Sequence, residues 1–345
     1  MRNDIYNHTW CYLSGRVNIL ECYLLNQKFF ERLVLSEKLD DVLINLNNTP
    51  LKSYFTQVKH LYEFETLLDD YYYSRLYEIR SLSPDSTICD LFLIKNDVLN
   101  LKKFIKAKIL GTSIDKYFKG TIDKDRWDDV WQGKSTSLPE VFKESISFVK
   151  TVINTVQKER LPFVIDLIFD GAYLRHIAYI FNKMDVGIIR RYLKTYQLLK
   201  GFEIIRRTMV LRIETNLLNK YFLEGFGKEH IFRKLISNSE WTGEKTLSEA
   251  FVRAYCNTPL LEQYFIQMLS LNLFPKISFR YEVLSDNYLL DMLCPVKYIP
   301  FGSERVFGYL CGLTTEVFNL KLVLGGKVYG IGNNLLKERL RKTYV

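Results

Sequence analysis

From Val17 to Leu46 the apolar positions Val17, Leu20, Leu24, Phe29, Leu33, Val34, Leu39, Val42, Leu43 and Leu46 recur at the three-and-four spacing of one helix face. Ser36, followed by Glu37, Asp40 and Asp41, reads as an N-cap with acids in the first turn, so a new helix is expected to start there. Asn47-Asn48-Thr49-Pro50 is a break. Helical patterning returns over 57–80 and closes at Ser81-Leu82-Ser83-Pro84. The next segment, 87–110, sets Ile94, Val98, Leu101, Ile105 and Ile109 on one face. Lys95, Lys102, Lys103 and Lys106 fall largely on the other, the pattern of an amphipathic helix laid on a core.

Between Gly111 and Leu138 the pattern weakens around Gly120, Gly133 and Ser135-Thr136-Ser137, a candidate inter-domain connection. Helical spacing resumes at Pro139, pauses near Leu161-Pro162 and runs through 163–223. Glu224-Gly225-Phe226-Gly227 is a second soft point, followed by 228–272. Pro275, Pro295 and Pro300 then precede the last expected helices, 303–326 and 334–342. Period-two alternation is scarce throughout, so the expected fold class is all-α.

One stretch occurs twice. Residues 97–111, DVLNLKKFIKAKILG, align without a gap on 316–330, EVFNLKLVLGGKVYG. Val98/Val317, Asn100/Asn319, Leu101/Leu320, Lys102/Lys321, Lys108/Lys327 and Gly111/Gly330 are identical, and Asp97 stands against Glu316. A fixed-offset echo marks a copied structural unit, and copied units build scaffolds. Upstream acids Asp70, Asp170 and Asp286 each precede a bulky apolar residue by three positions. Three similar helical domains follow from this: 1–115, 116–225 and 226–345. The middle copy fits loosely at 203–212, with Glu203 as the acid and Arg206 in place of the asparagine; a rival register starts at Asp185. An asparagine repeated at one helical site is expected to bond a neighbouring helix's backbone or the preceding acid side chain, and so to fix register, in preference to the alternative that it faces a partner.

Composition refines this picture. A formal charge of +9 suits an acidic partner, an anionic surface or nucleic acid, but the basic residues are spread rather than blocked. Arg190-Arg191 and Arg206-Arg207 are the densest basic spots before the C-terminus and the candidate partner contacts. The six cysteines, at 11, 22, 89, 256, 294 and 311, form no CxxC pair and read as small hydrophobes of a reducing compartment. No run approaches the length of a membrane span, and the N-terminus lacks a signal-peptide pattern, so a soluble, cytoplasmic protein is expected.

Catalytic patterns are absent from the sequence. There is no phosphate-binding loop, and Gly325, Gly326, Gly330 and Gly332 lack dinucleotide spacing; close packing or helix ending suits them better. His8, His60, His176 and His230 are isolated, and Asp69-Asp70 and Asp128-Asp129 point in divergent directions on a helix. Catalytic, cofactor and metal residues are accordingly expected to be none. The residues singled out for repeat packing are Asp70, Asp97, Asn100, Asp170, Asp286, Glu316 and Asn319.

The ending PFGSERVFGYLCGLTTEVFNLKLVLGGKVYGIGNNLLKERLRKTYV resembles the C-terminus of the C subunits of V/A-type rotary ATPases, the counterparts of the d subunits of eukaryotic V-ATPases. Pro300-Phe301-Gly302, Glu304-x-Val306, Glu316-x-x-Asn319-Leu320, Lys327-x-x-Gly330 and Leu335…Arg339-Leu340-Arg341 carry the likeness. Arg16, Leu20, Glu21 and Leu24-Leu25 match the family's opening, and DDYYYSRLYEI and DVLNLKKFIKAKILG resemble its first-repeat helices. The resemblance implies three helical domains in a pseudo-threefold, funnel-like arrangement. It also implies a non-catalytic collar between the D and F subunits of the central stalk and the membrane proteolipid ring, passing torque for H⁺ or Na⁺ transport and peripheral to the membrane. Against it stand a helical-repeat nucleic-acid binder, argued from charge alone, and an enzyme with an unrecognised site.

Overall fold

The computed structural model describes residues 2–55, 63–114, 116–134, 138–210, 213–228, 230–237 and 278–345. Every regular element among them is helical. In chain order these are α1 (Arg2–Glu21), α2 (Gln27–Leu35), α3 (Leu39–Leu46), α4 (Lys52–Phe55), α5 (Phe64–Leu82), α6 (Thr87–Leu110), α7 (Trp127–Gln132), α8 (Glu140–Val152), α9 (Leu161–Lys183), α10 (Gly187–Val210), α11 (Thr215–Leu217) and α12 (Ile231–Ser237). After them come α13 (Ser278–Asp291), α14 (Ser303–Val328) and α15 (Asn333–Arg339). Short 3₁₀ turns occupy Lys124–Arg126 and Cys294–Tyr298, and a π turn occupies Leu218–Phe222. Most of the helix expected over 228–272 lies outside the described residues.

Several boundaries differ from the periodic pattern, each for a local reason. The run starting at Val17 breaks after Glu21, because Asn26 caps α2 by accepting from the Phe29 N–H at 3.0 Å. Ser36 ends α2 rather than starting α3: its hydroxyl donates back to the Arg32 carbonyl at 3.2 Å. The cap of α3 is Lys38, whose N–H donates to the Asp41 carboxylate at 3.3 Å. The run over 163–223 breaks at Met184, whose carbonyl accepts from the guanidinium of Arg190. Gly325-Gly326 does not interrupt α14. Gly326 lies against Leu336 so closely that a Cβ would overlap it, which lets α15 approach the helix axis.

The chain divides into two compact units. The first joins Met1–Cys89 to Lys276–Val345, and the second is Asp90–Pro275. In the first unit α14 is the central element, packed by α1 and α5 and flanked by α2, α3 and α15. Its nine consecutive residues Arg305–Leu313 are all buried, as is typical of a helix surrounded on every side. Phe30, Leu33, Leu76, Leu310 and Leu320 are fully enclosed around it.

In the second unit α9 holds the centre, covered by α8, α10 and the π turn. Val164, Ile165, Phe169, Ala172 and Leu174 form its buried side, and Gly171 lets the backbone of Phe222 lie directly on the helix. A Cβ there would strike the Phe222 carbonyl.

Candidate functional site: two buried clasps on the repeated helix

The echo in the sequence is an echo in atoms. Gly111 and Gly330, at matching positions, both adopt left-handed backbone, with φ of +69° and +68°. Behind each, the next amide reaches back five residues: Thr112 N–H to the Ala107 carbonyl at 3.0 Å, and Ile331 N–H to the Gly326 carbonyl at 2.7 Å. This is a Schellman ending, and it fixes how the chain leaves each helix.

The departing chain is then caught by the repeated asparagine. In α6 the Asn100 amide donates to the Phe118 carbonyl and accepts from the Phe118 N–H, both at 2.8 Å. In α14 the Asn319 amide donates to the Arg341 carbonyl at 2.9 Å and accepts from the Arg341 N–H at 3.0 Å. Both asparagines are 0% exposed. A primary amide presents one donor and one acceptor in the geometry of a peptide group, so it pairs an extended backbone much as a neighbouring strand would. The partner in each case is the segment after the repeat helix, not another helix and not the preceding acid.

The two clasped segments diverge one turn further along. In α6, Asp97 is fully buried and accepts from the Thr121 and Ile122 amides at 3.0 and 3.2 Å and from the Thr121 hydroxyl at 2.6 Å. Burial pushes its carboxyl above the usual range, and those hydrogen bonds pull it back. A Cβ at Gly120 would overlap the Asp97 carboxylate, so the clasp requires glycine there. In α14 the corresponding Glu316 accepts instead from the Leu25 N–H at 2.5 Å and from the Tyr71 hydroxyl at 3.0 Å.

The C-terminal segment is secured by other groups. Arg341 pairs with Asp286 at 3.1 Å and Glu282 at 3.7 Å on α13, and its guanidinium lies over the Phe318 ring. The Lys342 N–H donates to the Asn287 side chain at 2.8 Å. Tyr344 then lies across Gly308 and Gly312, where a Cβ on Gly312 would come within 2.7 Å of the Tyr344 Cβ. Nearby, Arg305 bonds the Glu21 carboxylate, the Asn18 side chain and the Val296 and Lys297 carbonyls, tying α1 to α14. This explains why Glu21 stands out in the opening segment.

Lys102 and Lys321, identical in the echo, both take an aspartate: Asp170 at 2.5 Å on α9 and Asp69 at 2.5 Å on α5. Asp166, one turn before Asp170, pairs with Lys106 at 2.6 Å. Burial raises the Asp170 carboxyl while Lys102 opposes the shift. Asp70 is exposed, and it is its neighbour Asp69 that meets Lys321. Arg190 and Arg191 are exposed at the start of α10. Arg206 is buried, while Arg207 is exposed and bonds Glu203 at 3.0 Å. Glu203 also holds Lys200 of its own helix, at 3.0 Å.

The five-residue back-bond recurs after α10, from Ile213 N–H to the Thr208 carbonyl at 3.1 Å. Aligned on that bond, Gly201 stands level with Asn100 and Asn319. The Phe232 ring seats directly on Gly201, so a bulky side chain from the following segment replaces the amide clasp.

Sequence reasoning found the lysines and asparagines because they repeat. It missed Leu25, Tyr71, Arg305 and Tyr344 as partners, because the groups they meet are distant in the chain and carry no local signal. The acids Asp166 and Asp170 inside an otherwise apolar run were a usable clue: charges one helical turn apart on a buried helix require cations.

A helix that occurs twice, each time clasping its own outgoing chain through a buried amide, defines an all-helical repeat scaffold. A match to the family described as ATP synthase (C/AC39) subunit spans residues 13–339, and the chain belongs to that family. It is 22% identical over 364 aligned positions to the C subunit of the A-type ATP synthase of Methanocaldococcus jannaschii, covering 97% of this chain and 86% of that protein. The family is that of the C subunits of V/A-type ATPases. Among the described residues no helix is long and apolar enough to cross a membrane.

Proposed function

We propose that this chain is a non-catalytic collar in the rotor of a V/A-type ATPase, joining the D and F subunits of the central stalk to the membrane proteolipid ring. It passes torque between them and thereby couples nucleotide turnover in other subunits to H⁺ or Na⁺ movement. The observation that carries this reading is the family match over residues 13–339. Buried amide clasps and ion pairs suit a part that must resist twisting, because closely packed helices transmit strain with little compliance. The division into domains 1–115, 116–225 and 226–345 belongs to the same proposal, as does a position on the cytoplasmic side, peripheral to the membrane.

The exposed Arg190 and Arg191 supply a cationic spot for acidic groups of the stalk or ring. The test is an affinity pull-down of the tagged chain from detergent-solubilised host membranes, with the recovered proteins identified by mass spectrometry. Recovery of stalk, catalytic and proteolipid subunits is the expected result; recovery of nucleic acid with no ATPase component would overturn it. Charge reversal at Arg190 and Arg191 that left this recovery undiminished would remove those two residues from the contact.

A further inference from the structure

Glu316 differs from Glu21, the other buried acid described in the first unit. Glu21 has Arg305 as a charge partner, whereas the Glu316 carboxylate, 3% exposed, is reached by no lysine or arginine among the described residues. Its two partners are both neutral donors from distant parts of the chain. One is the Leu25 N–H, in the five-residue connection between α1 and α2, and the other is the Tyr71 hydroxyl on α5.

We infer that Glu316 is a proton-operated latch on the α1–α2 connection: as a carboxylate it holds both donors, and on taking up a proton it releases its charge-assisted grip on the Leu25 amide. The stoichiometry of hydrogens requires a rearrangement. A carboxylate offers acceptors to both donors, but a carboxylic acid has gained a hydrogen of its own. Tyr71 must then turn its hydroxyl and accept from Glu316, or one of the two bonds is lost. The Leu25 amide is left with a neutral acceptor in either case, and charge-assisted hydrogen bonds are roughly twice as strong as neutral ones.

The surroundings allow this change near neutrality. Burial pushes the Glu316 carboxyl up to about 7, with the Leu25 and Tyr71 bonds opposing the shift. From α5, Arg75 faces Tyr71 and bonds Glu78, and neither reaches Glu316. From α14 itself, Tyr309 faces Glu316, and burial raises its hydroxyl far out of the working range. The charged side chains of α2 and α3 are exposed to solvent, Glu21 of α1 is engaged by Arg305, and on α15 Arg339 lies over Phe279. Glu316 is therefore a group whose charge can change near pH 7, with no described lysine or arginine at hand to hold it ionised.

Two measurements on the full chain test this. Infrared difference spectroscopy across pH about 5.5 to 8.5 follows the carboxylic C=O band of a buried acid. A band that grows toward low pH and is abolished by Glu316→Gln is expected; its absence in the wild type, or its persistence in the variant, would overturn the inference. Amide exchange at Leu25, corrected for the intrinsic pH dependence, reads the latch directly. Protection there should fall about five-fold between pH 8 and 6, as expected when a charge-assisted bond becomes neutral. Protection unchanged across that range would sink the latch even if Glu316 titrates. Should Glu316→Gln fail to fold, Tyr71→Phe serves instead: losing the phenol donor should move the infrared midpoint upward, and an unmoved midpoint counts against the assignment.

Discussion

Replacing Asn319 by alanine removes a clasp whose cost can be worked from its geometry. Two hydrogen bonds, at 2.9 and 3.0 Å, disappear together, and the N–H and carbonyl of Arg341 lose their partners at a buried site. Each buried backbone group left unsatisfied costs roughly 1–3 kcal/mol, and water entering the small void recovers part of that, so a loss of about 2–4 kcal/mol is expected. The tail is also held by the Arg341–Asp286 pair and by Tyr344, so the damage should be local before it is global. Urea unfolding of the full chain measures the loss, and hydrogen exchange locates it: amides of 336–345 should lose protection while those of 116–122 keep theirs. Asn100→Ala should give the mirror result, exposing 116–122 and sparing the tail. A loss under about 0.5 kcal/mol for Asn319→Ala, or equal loosening of both segments by either variant, would refute the claim that each amide clasps its own outgoing chain.

Three further outcomes follow from the same geometry. Gly312→Ala should destabilise by about 1–3 kcal/mol through overpacking against the Tyr344 Cβ and ring, yet become neutral or stabilising in a Tyr344→Gly background, which removes that Cβ and lets helix propensity favour alanine; thermal melts of the four-member cycle decide it. The Lys102–Asp170 pair, with its aspartate one-third exposed, should show a coupling of roughly 0.5–1 kcal/mol in a double-mutant cycle, shrinking at high salt. For pH, the Glu316 carboxyl lies at about 7 when folded against 4.5 in its ordinary range, so the folded state binds its proton more tightly. Against global unfolding, which returns the carboxyl to water, the stability it contributes is then full below pH about 4.5 and lost as pH rises through 7. The local release at Leu25 has the opposite sign, because it leaves Glu316 enclosed and removes only a hydrogen bond that favours its charged form. The melting temperature of wild type should fall relative to Glu316→Gln over that window, and a difference independent of pH would contradict the assignment.

The sequence by itself determined the class of the fold and the units it repeats. Helical spacing over 87–110 returned α6 at its observed bounds, and the last helix pair was placed within a few residues, because those faces stay apolar over several turns. The identity of Asn100 with Asn319 and of Gly111 with Gly330 was legible as a pattern, since a clasp and a left-handed ending accept few other side chains. What those residues hold was decided only by tertiary structure. Leu25 meets Glu316, and Tyr344 settles on Gly308 and Gly312, because the N- and C-terminal stretches fold into one unit. No local preference encodes such a meeting; it arises when distant apolar faces close over one another and leave each buried polar group only the partners within reach. The same cause brought Asp69 rather than Asp70 to Lys321, and enclosed Arg206 while leaving Arg190 in water. Charge and periodicity state what a side chain can do, but enclosure in the folded chain selects which atom it does it with.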